Sequence, residues 1–266
     1  MLPVGVQLYS LRDYCAKDYY GTLKRVADIG YKLVEPASFF NVRPSELKKM
    51  IDDLGLRMIS THSVWARSKA NLGECMDLAD ILGLKRIVCG YTADDFLTMD
   101  AIKRTADNTN EMQEILERNG FMLYQHNHNY EFQRYFGKIK YQIYREMCPK
   151  LKYVLDCFWA GNMSAEDPVE MVRLFADDTI LLHIKDGESY PRPQPPITMP
   201  FPVYERYTEL VPLGKGKQPI KEIIANASPS TEAVIVELDF CNEEMFSAIE
   251  QSYRYLTENG LAAGNK

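Results

Sequence analysis

Histidine is scarce in this chain of 266 residues, which carries only four. Paired cysteines are absent as well. The six cysteines (Cys15, Cys75, Cys89, Cys148, Cys157, Cys241) show no CxxC spacing, which excludes a zinc knuckle and a disulfide framework. Several lie inside apolar runs and read as reduced core residues. There is no basic excess either. With 31 Lys and Arg against 37 Asp and Glu, the net charge of −6 argues against a nucleic-acid surface, because phosphate binding needs clustered cations. A small neutral or polar ligand fits better. Long apolar runs are also missing, so no membrane span is expected, and Met1-Leu2-Pro3 leads straight into a strand without a charged or apolar leader. A cytoplasmic location is therefore the default expectation, although a trimmed export signal would leave the same start. What remains is ordinary globular usage, 46% hydrophobic and 26% charged, long enough for one α/β barrel or two smaller domains.

The histidines that are present are placed systematically. His126 and His128 follow the apolar run Gly120-Phe121-Met122-Leu123-Tyr124, which reads as a buried strand. His62 follows Arg57 to Thr61, and His183 ends Ile180-Leu181-Leu182. Asp156 follows Tyr153-Val154-Leu155 in the same manner, and Glu237 follows Val234-Ile235-Val236. Chemistry at the ends of strands calls for a fold that gathers strand ends.

The order of elements supplies one. Strands are predicted over 4–9, 33–36, 57–61, 86–89, 120–124 leading to His126, 152–156, 180–184 and 233–238. Between them, helical spacing is predicted over 21–29, 44–54, 69–82, 100–118, 164–175 and 243–255, with Ser164 as N-cap and Asp167 completing a variant capping box. Four junctions, at Gly30, Gly55, Gly83 and Gly120, repeat one grammar in which a helix stops at glycine and hands over to a strand. Eight strands alternating with helices at this length predict a single α/β domain over 1–266, a (β/α)8 barrel. Residues 187–213 break the rhythm and hold seven of the fourteen prolines. An insertion after the seventh strand would lie over the barrel mouth, as a lid or a subunit-contact loop, which leaves a homo-oligomer open.

In such a barrel the C-terminal strand ends converge on the axis, so His62, His126, Asp156, His183 and Glu237 would meet. A His and carboxylate set without thiolate suits Mn²⁺, Mg²⁺ or Co²⁺, and zinc as well. Each residue alone has a structural explanation: a strand-end histidine bonds locally, and an Asp there caps the next helix. Their joint placement is the stronger signal, because such groups at the ends of buried strands must otherwise be desolvated without compensation. Gly214-Lys215-Gly216-Lys217 lacks the GxxxxGK[ST] pattern, so it reads as a turn into a helix near Pro219.

The motifs GVQLYSLRD, HNHNYEF, LDCFWAGN, LLHIKDGE, PLGKGKQPI and VIVELD, in this order across nearly the whole chain, resemble the sugar phosphate isomerase/epimerase family with the xylose isomerase-like TIM barrel. The resemblance implies a divalent metal held by a strand-five glutamate, Asp156, His183 and Glu237. Here strand five ends in Gln125-His126, so the fourth ligand is either Glu131, which keeps the cluster anionic and is preferred, or His126 or His128. The implied reaction is proton transfer beside a ketose or keto-inositol carbonyl through an enediolate. Glu237 would take the proton and Glu131 or His126 return it, while Lys185, two residues past His183 and on the same strand face, would stabilise the oxyanion. A salt bridge to Asp186 or Glu35 is the alternative role for Lys185. Glu35, His62 and His128 would bind the sugar, with Tyr9, Trp65 and Trp159 stacking on it. Three other readings stand beside this one: a same-fold lyase or dehydratase on a keto-sugar or keto-glycoside, an apurinic endonuclease-like phosphodiesterase, and a non-catalytic sugar-binding barrel.

Overall fold

The computed structural model describes residues 1–161, 166–189 and 207–265. Eight parallel strands run through it: β1 (Val4–Gln7), β2 (Leu33–Glu35), β3 (Arg57–Met58), β4 (Arg86–Cys89), β5 (Met122–His126), β6 (Lys152–Asp156), β7 (Thr179–Ile184) and β8 (Ala233–Val236). They pair in the order β3-β2-β1-β8-β7-β6-β5-β4, a mixed α/β architecture in which the sheet curls with helices between its strands. Between β3 and β4 the only join among the described residues is an isolated parallel bridge from Ala66 to Cys89.

That seam explains the one strand that is much shorter than its sequence pattern. The run 57–61 reads as a strand, yet only Arg57–Met58 is one. Pro36, following β2, has no N–H to give a neighbour, so the ladder cannot continue past it. The chain instead peels away, with the His62 amide donating to the Pro36 carbonyl at 2.7 Å.

Apolar residues sort into two layers. The larger core lies between strands and helices and includes Val34, Leu123, Leu155, Leu182 and Val236. A second, smaller cluster of Leu33, Ile59, Val88, Tyr124, Val154, Ile180, Leu181, Ala233 and Ile235 plugs the space that the strands enclose. Side chains alternate along a strand, so two residues beyond an inward-facing plug residue the chain again points inward. Leu33 leads to Glu35, Tyr124 to His126, Val154 to Asp156, Leu181 to His183, and Ile235 to Glu237. The registers keep these residues in phase, pairing Gln7 with Glu35 and Asp156 with His183. Gly5 shares this inner face because a Cβ there would meet Ile235 Cδ1 at 2.7 Å and Leu33 Cβ at 2.8 Å.

The four junction glycines all have positive φ, between 68° and 121°, a region that L side chains resist. Helices cover Tyr19–Ile29, Pro44–Asp53, Leu72–Leu82, Met99–Arg118 and Met245–Glu258. Lys69–Asn71, expected as helix, forms a 3₁₀ turn instead. The helix expected from Ser164 begins only at Pro168, capped by the Asp167 carboxylate, which accepts from the Val169 and Glu170 amides. Ser164 itself lies outside the described residues. Between β5 and β6 the chain forms a ribbon (Arg134–Tyr135 with Lys138–Ile139) and a helix, Lys140–Met147, which is not among the elements expected above although Tyr141, Ile143, Tyr144 and Met147 stand at helical spacing.

The proline-rich excursion is closed at its base by an antiparallel ribbon, Asp186–Ser189 with Thr208–Val211. The expected lid or contact loop falls on 190–206, outside the described residues. The Gly-Lys-Gly-Lys turn is packed around the Asp186 carboxylate. Asp186 accepts from the amides of Gly187 (2.8 Å), Gly214 (2.8 Å), Gly216 (3.1 Å) and Gln218 (3.0 Å). A Cβ on Gly216 would lie 2.2 Å from Asp186 Oδ1, so only glycine fits there. The turn therefore encloses the protein's own anion rather than a phosphate, and it leads into the helix Ile220–Ala225.

Candidate active site

A cavity of about 300 Å³ opens above the inner charged residues, lined by Gln7, Tyr9, His62, Trp65, His126, His128, Trp159, Glu237 and Asp239 among others. Below it, one ligand atom each from His126, Asp156, His183 and Glu237 falls within 4.8 Å of the others. A second group, Glu35, His62 and His183, adjoins it through the shared histidine.

His183 is held from both sides. Its Nδ1 lies 2.9 Å from Glu237 Oε2 and its Nε2 lies 2.9 Å from Glu35 Oε2. Burial alone would depress its basicity, but Glu35 and Glu237 raise the pKa to about 10. Glu35 also pairs through Oε1 with His62 Nε2. Although burial opposes ionisation, His62 and His183 hold the Glu35 carboxyl far below the usual range. Asp156 is fixed by its backbone: Asn127 grips it with two bonds, accepting from its amide at 2.9 Å and donating to its carbonyl at 3.1 Å. The Asp156 carboxylate in turn accepts from the Trp159 amide at 2.8 Å.

His126 contrasts with these. It is buried, yet neither ring nitrogen has a hydrogen-bond partner. Its Nε2 faces Asp156 Oδ2 at 3.5 Å and Glu237 Oε2 at 3.9 Å, and burial, with His183 and His62 beside it, pushes its pKa well down. A neutral imidazole with an unused lone pair beside two carboxylate oxygens suits a divalent cation. So does the Glu35 contact, since a carboxylate on one nitrogen of His183 leaves the other to face the ion. The residues present therefore fit a metal, with His126 in place of Glu131.

Glu131, the preferred fourth ligand in the sequence, is not in the group. Its Oε2 accepts from the His128 amide at 3.0 Å, and burial raises its pKa to about 8. The turn from Asn127 to Tyr130 folds this carboxyl back on its own backbone, away from the cavity lining. The structure likewise moves two other residues off the wall. Glu35 is fully buried between imidazoles rather than set to meet a sugar hydroxyl. Lys185, 1% exposed, contacts neither Asp186 nor Glu35 but pairs with Asp156 Oδ2, with Glu237 Oε2 at 2.5 Å and with Asp239 Oδ2 at 3.2 Å. These anions raise its basicity against the cost of burial. Tyr9, His62, Trp65, His128 and Trp159 do line the cavity.

His128 has a definite tautomer. Tyr130 spends its single hydroxyl proton on the Tyr91 carbonyl at 2.8 Å, so the hydroxyl oxygen accepts from His128 Nδ1 at 3.2 Å. Nε2 is left as an acceptor on a ring whose pKa burial lowers to about 4.

Sequence reasoning missed Gln7, Asn127 and Asp239. Asp239 was within its reach, because it stands two residues past Glu237 on the same face. Asn127 was not, since nothing in a linear pattern shows a side chain clasping the next strand.

These features define an α/β barrel with an imidazole and carboxylate centre at the C-terminal ends of its strands. The family model for the xylose isomerase-like TIM barrel matches residues 23–248, and the chain belongs to that family. No curated protein matches it by sequence. Among solved structures it is similar to a sugar phosphate isomerase/epimerase from Parabacteroides distasonis ATCC 8503, 22% identical over 98% of both chains with a TM-score of 0.74. It is also similar to an L-ribulose 3-epimerase, 16% identical over 98% of this chain and 95% of the other, TM-score 0.67. A third likeness is to the IOLI protein with a bound zinc atom, 14% identical over 97% of each chain, TM-score 0.68. At these identities the likenesses carry the fold. No described helix is long and apolar enough to cross a membrane.

Proposed function

We propose that this protein is a divalent-metal-dependent sugar isomerase or epimerase acting on a ketose or keto-inositol. The observation that carries the reading is the grouping of His126, Asp156, His183 and Glu237 within 4.8 Å, directly beneath a cavity walled by aromatic rings. A volume of about 300 Å³ is at the small end for ligand sites and is right for a monosaccharide. His126, Asp156, His183 and Glu237 would hold the ion, whose contribution when bound is Lewis acidity toward a carbonyl oxygen.

The chain's own groups handle the rest. Tyr9, Trp65 and Trp159 provide apolar faces for a sugar ring and reduce the water around it. Glu237 and Asp239 stand on the β8 side, and His126 and His128 on the β5 side. A proton taken from the carbon beside the carbonyl by a group on one side inverts that carbon when a group on the other side returns it there, and relocates the carbonyl when it is delivered to the former carbonyl carbon while the neighbouring hydroxyl proton passes to the carbonyl oxygen. His128 Nε2, bare in its fixed tautomer, is suited to accept. Lys185 pairs with Asp156 and Glu237 from beneath the cavity.

The test is metal analysis of the purified protein followed by incubation with a panel of ketoses and keto-inositols in D₂O. Solvent deuterium at the carbon beside the carbonyl, dependent on a divalent ion, is expected. Loss of water or of a glycosyl group from the substrate would instead mark a lyase, and absence of both metal and exchange would leave a sugar-binding barrel.

A further inference from the structure

The charged layer under the cavity contains its own cation. Lys185 Nζ bonds Asp156 Oδ2 and Glu237 Oε2, and these are the same two oxygens that face His126 Nε2 at 3.5 and 3.9 Å. Glu237 Oε2 also lies 2.9 Å from His183 Nδ1. The ammonium and a divalent ion held by this group would share both oxygens and stand within a few ångströms of each other, where two cations in a buried setting repel strongly. They are incompatible in these positions.

The lysine has somewhere to go. Its Nζ is already 3.2 Å from Asp239 Oδ2, an oxygen without another hydrogen bond. Asp239 lines the cavity, so a move toward it carries the ammonium from the deepest part of the site to its wall. Trp159, whose ring centroid is 5.5 Å from Nζ, keeps a cation-binding face beside that route. Resting on the metal reading above, we propose that Lys185 and a divalent cation are alternative occupants of the Asp156 and Glu237 pair, with Asp239 receiving the lysine when the cation binds. In the metal-free protein the lysine neutralises carboxylates that would otherwise repel. Binding the ion must displace it, which weakens affinity and makes the ion exchangeable rather than permanent.

The test is titration of the full-length protein with Co²⁺, followed by its visible absorption, and with Mn²⁺, followed by calorimetry. Wild type, Lys185→Met, Lys185→Gln, Asp239→Asn and the Lys185→Met/Asp239→Asn double variant are compared. Removing the lysine should tighten binding by about tenfold or more, since the ion no longer has a competing charge to expel. Lys185→Gln, close in size and neutral, gives the same comparison should the methionine variant fold poorly. Asp239→Asn should weaken binding in the wild-type background and do so less when Lys185 is already absent. If Asp239 instead acted only by attracting the metal through space, its loss would cost as much or more without the lysine, and that result overturns the proposal. Equal affinity in wild type and both lysine variants overturns it as well, while leaving the metal reading intact. Absence of binding in every variant would overturn both.

Discussion

The β5 corner and the β7 to β8 corner are built from the same residue types and are in opposite states. At β7 and β8 the buried charges are matched: His183 sits between two carboxylates, and Lys185 has three. At β5, His126 has two unpartnered nitrogens and Glu131 one unpartnered oxygen, although both residues are buried. The matched corner is a preformed scaffold, whereas the unmatched one retains lone pairs that can be given to something else. Lys185 and Asp186 repeat the lesson within two residues. One points inward to the charged layer; the other points outward to four loop amides and only holds the chain in place.

Breaking the matched corner should have the largest consequence. Glu237→Gln removes a carboxylate that lines the cavity and belongs to the candidate metal-ligand group, so on the proposed reaction the exchange rate in D₂O should fall by about a thousandfold. A loss under tenfold would remove Glu237 from the chemistry. Next in size is Asp186→Ala, which strands four amides and should cost about 3 kcal/mol in urea unfolding.

Within the β5 corner, His128 and Glu131 titrate in opposite senses. His128 is neutral when folded, with its pKa lowered from 6.5 to about 4, so the unfolded chain binds the extra proton and stability is lost as pH falls through that window. Glu131 has its pKa raised from 4.5 to about 8, so the folded state binds the extra proton and stability is lost as pH rises through 4.5 to 8. Because His128 adds stability as pH rises while Glu131 removes it, denaturation midpoints of His128→Asn should rise less, or fall more, with increasing pH than those of wild type between pH 4 and 6.5; an unchanged slope there would contradict a neutral folded ring. The smallest effect is expected from Glu131→Gln at pH 7, under about 1 kcal/mol, because the folded protein already holds this carboxyl neutral and an amide oxygen can accept the same His128 N–H. On the proposed metal reading, that variant should still bind a divalent ion as wild type does, and His126→Ala should not. The reverse result would restore Glu131 as the ligand.

Much of this was legible in the sequence because it depends on local periodicity. Strand runs ending in His, Asp and Glu, with glycines closing the intervening helices, announce a barrel whose strand ends converge, and an alternation of two carries Asp156, His183 and Glu237 to one interior. The same parity would have led from Glu237 to Asp239. Where the chain leaves regular structure, that logic stops. His62 sits past a strand that Pro36 ends early, and Glu131 lies in the turn after β5, where one rotation of the backbone decides whether a carboxylate faces an ion or its own amide.

The sequence by itself determined the alternation, the charge and which strand ends carry ligand-type atoms, since each is a property of neighbouring residues and of a strand's fixed two-residue repeat. Only the tertiary structure decided that His126 joins the group while Glu131 turns away, and that Lys185 lies among the carboxylates instead of on the cavity wall. Those outcomes depend on which side chains from distant strands compete for the same few cubic ångströms, and that competition exists only once the barrel has closed.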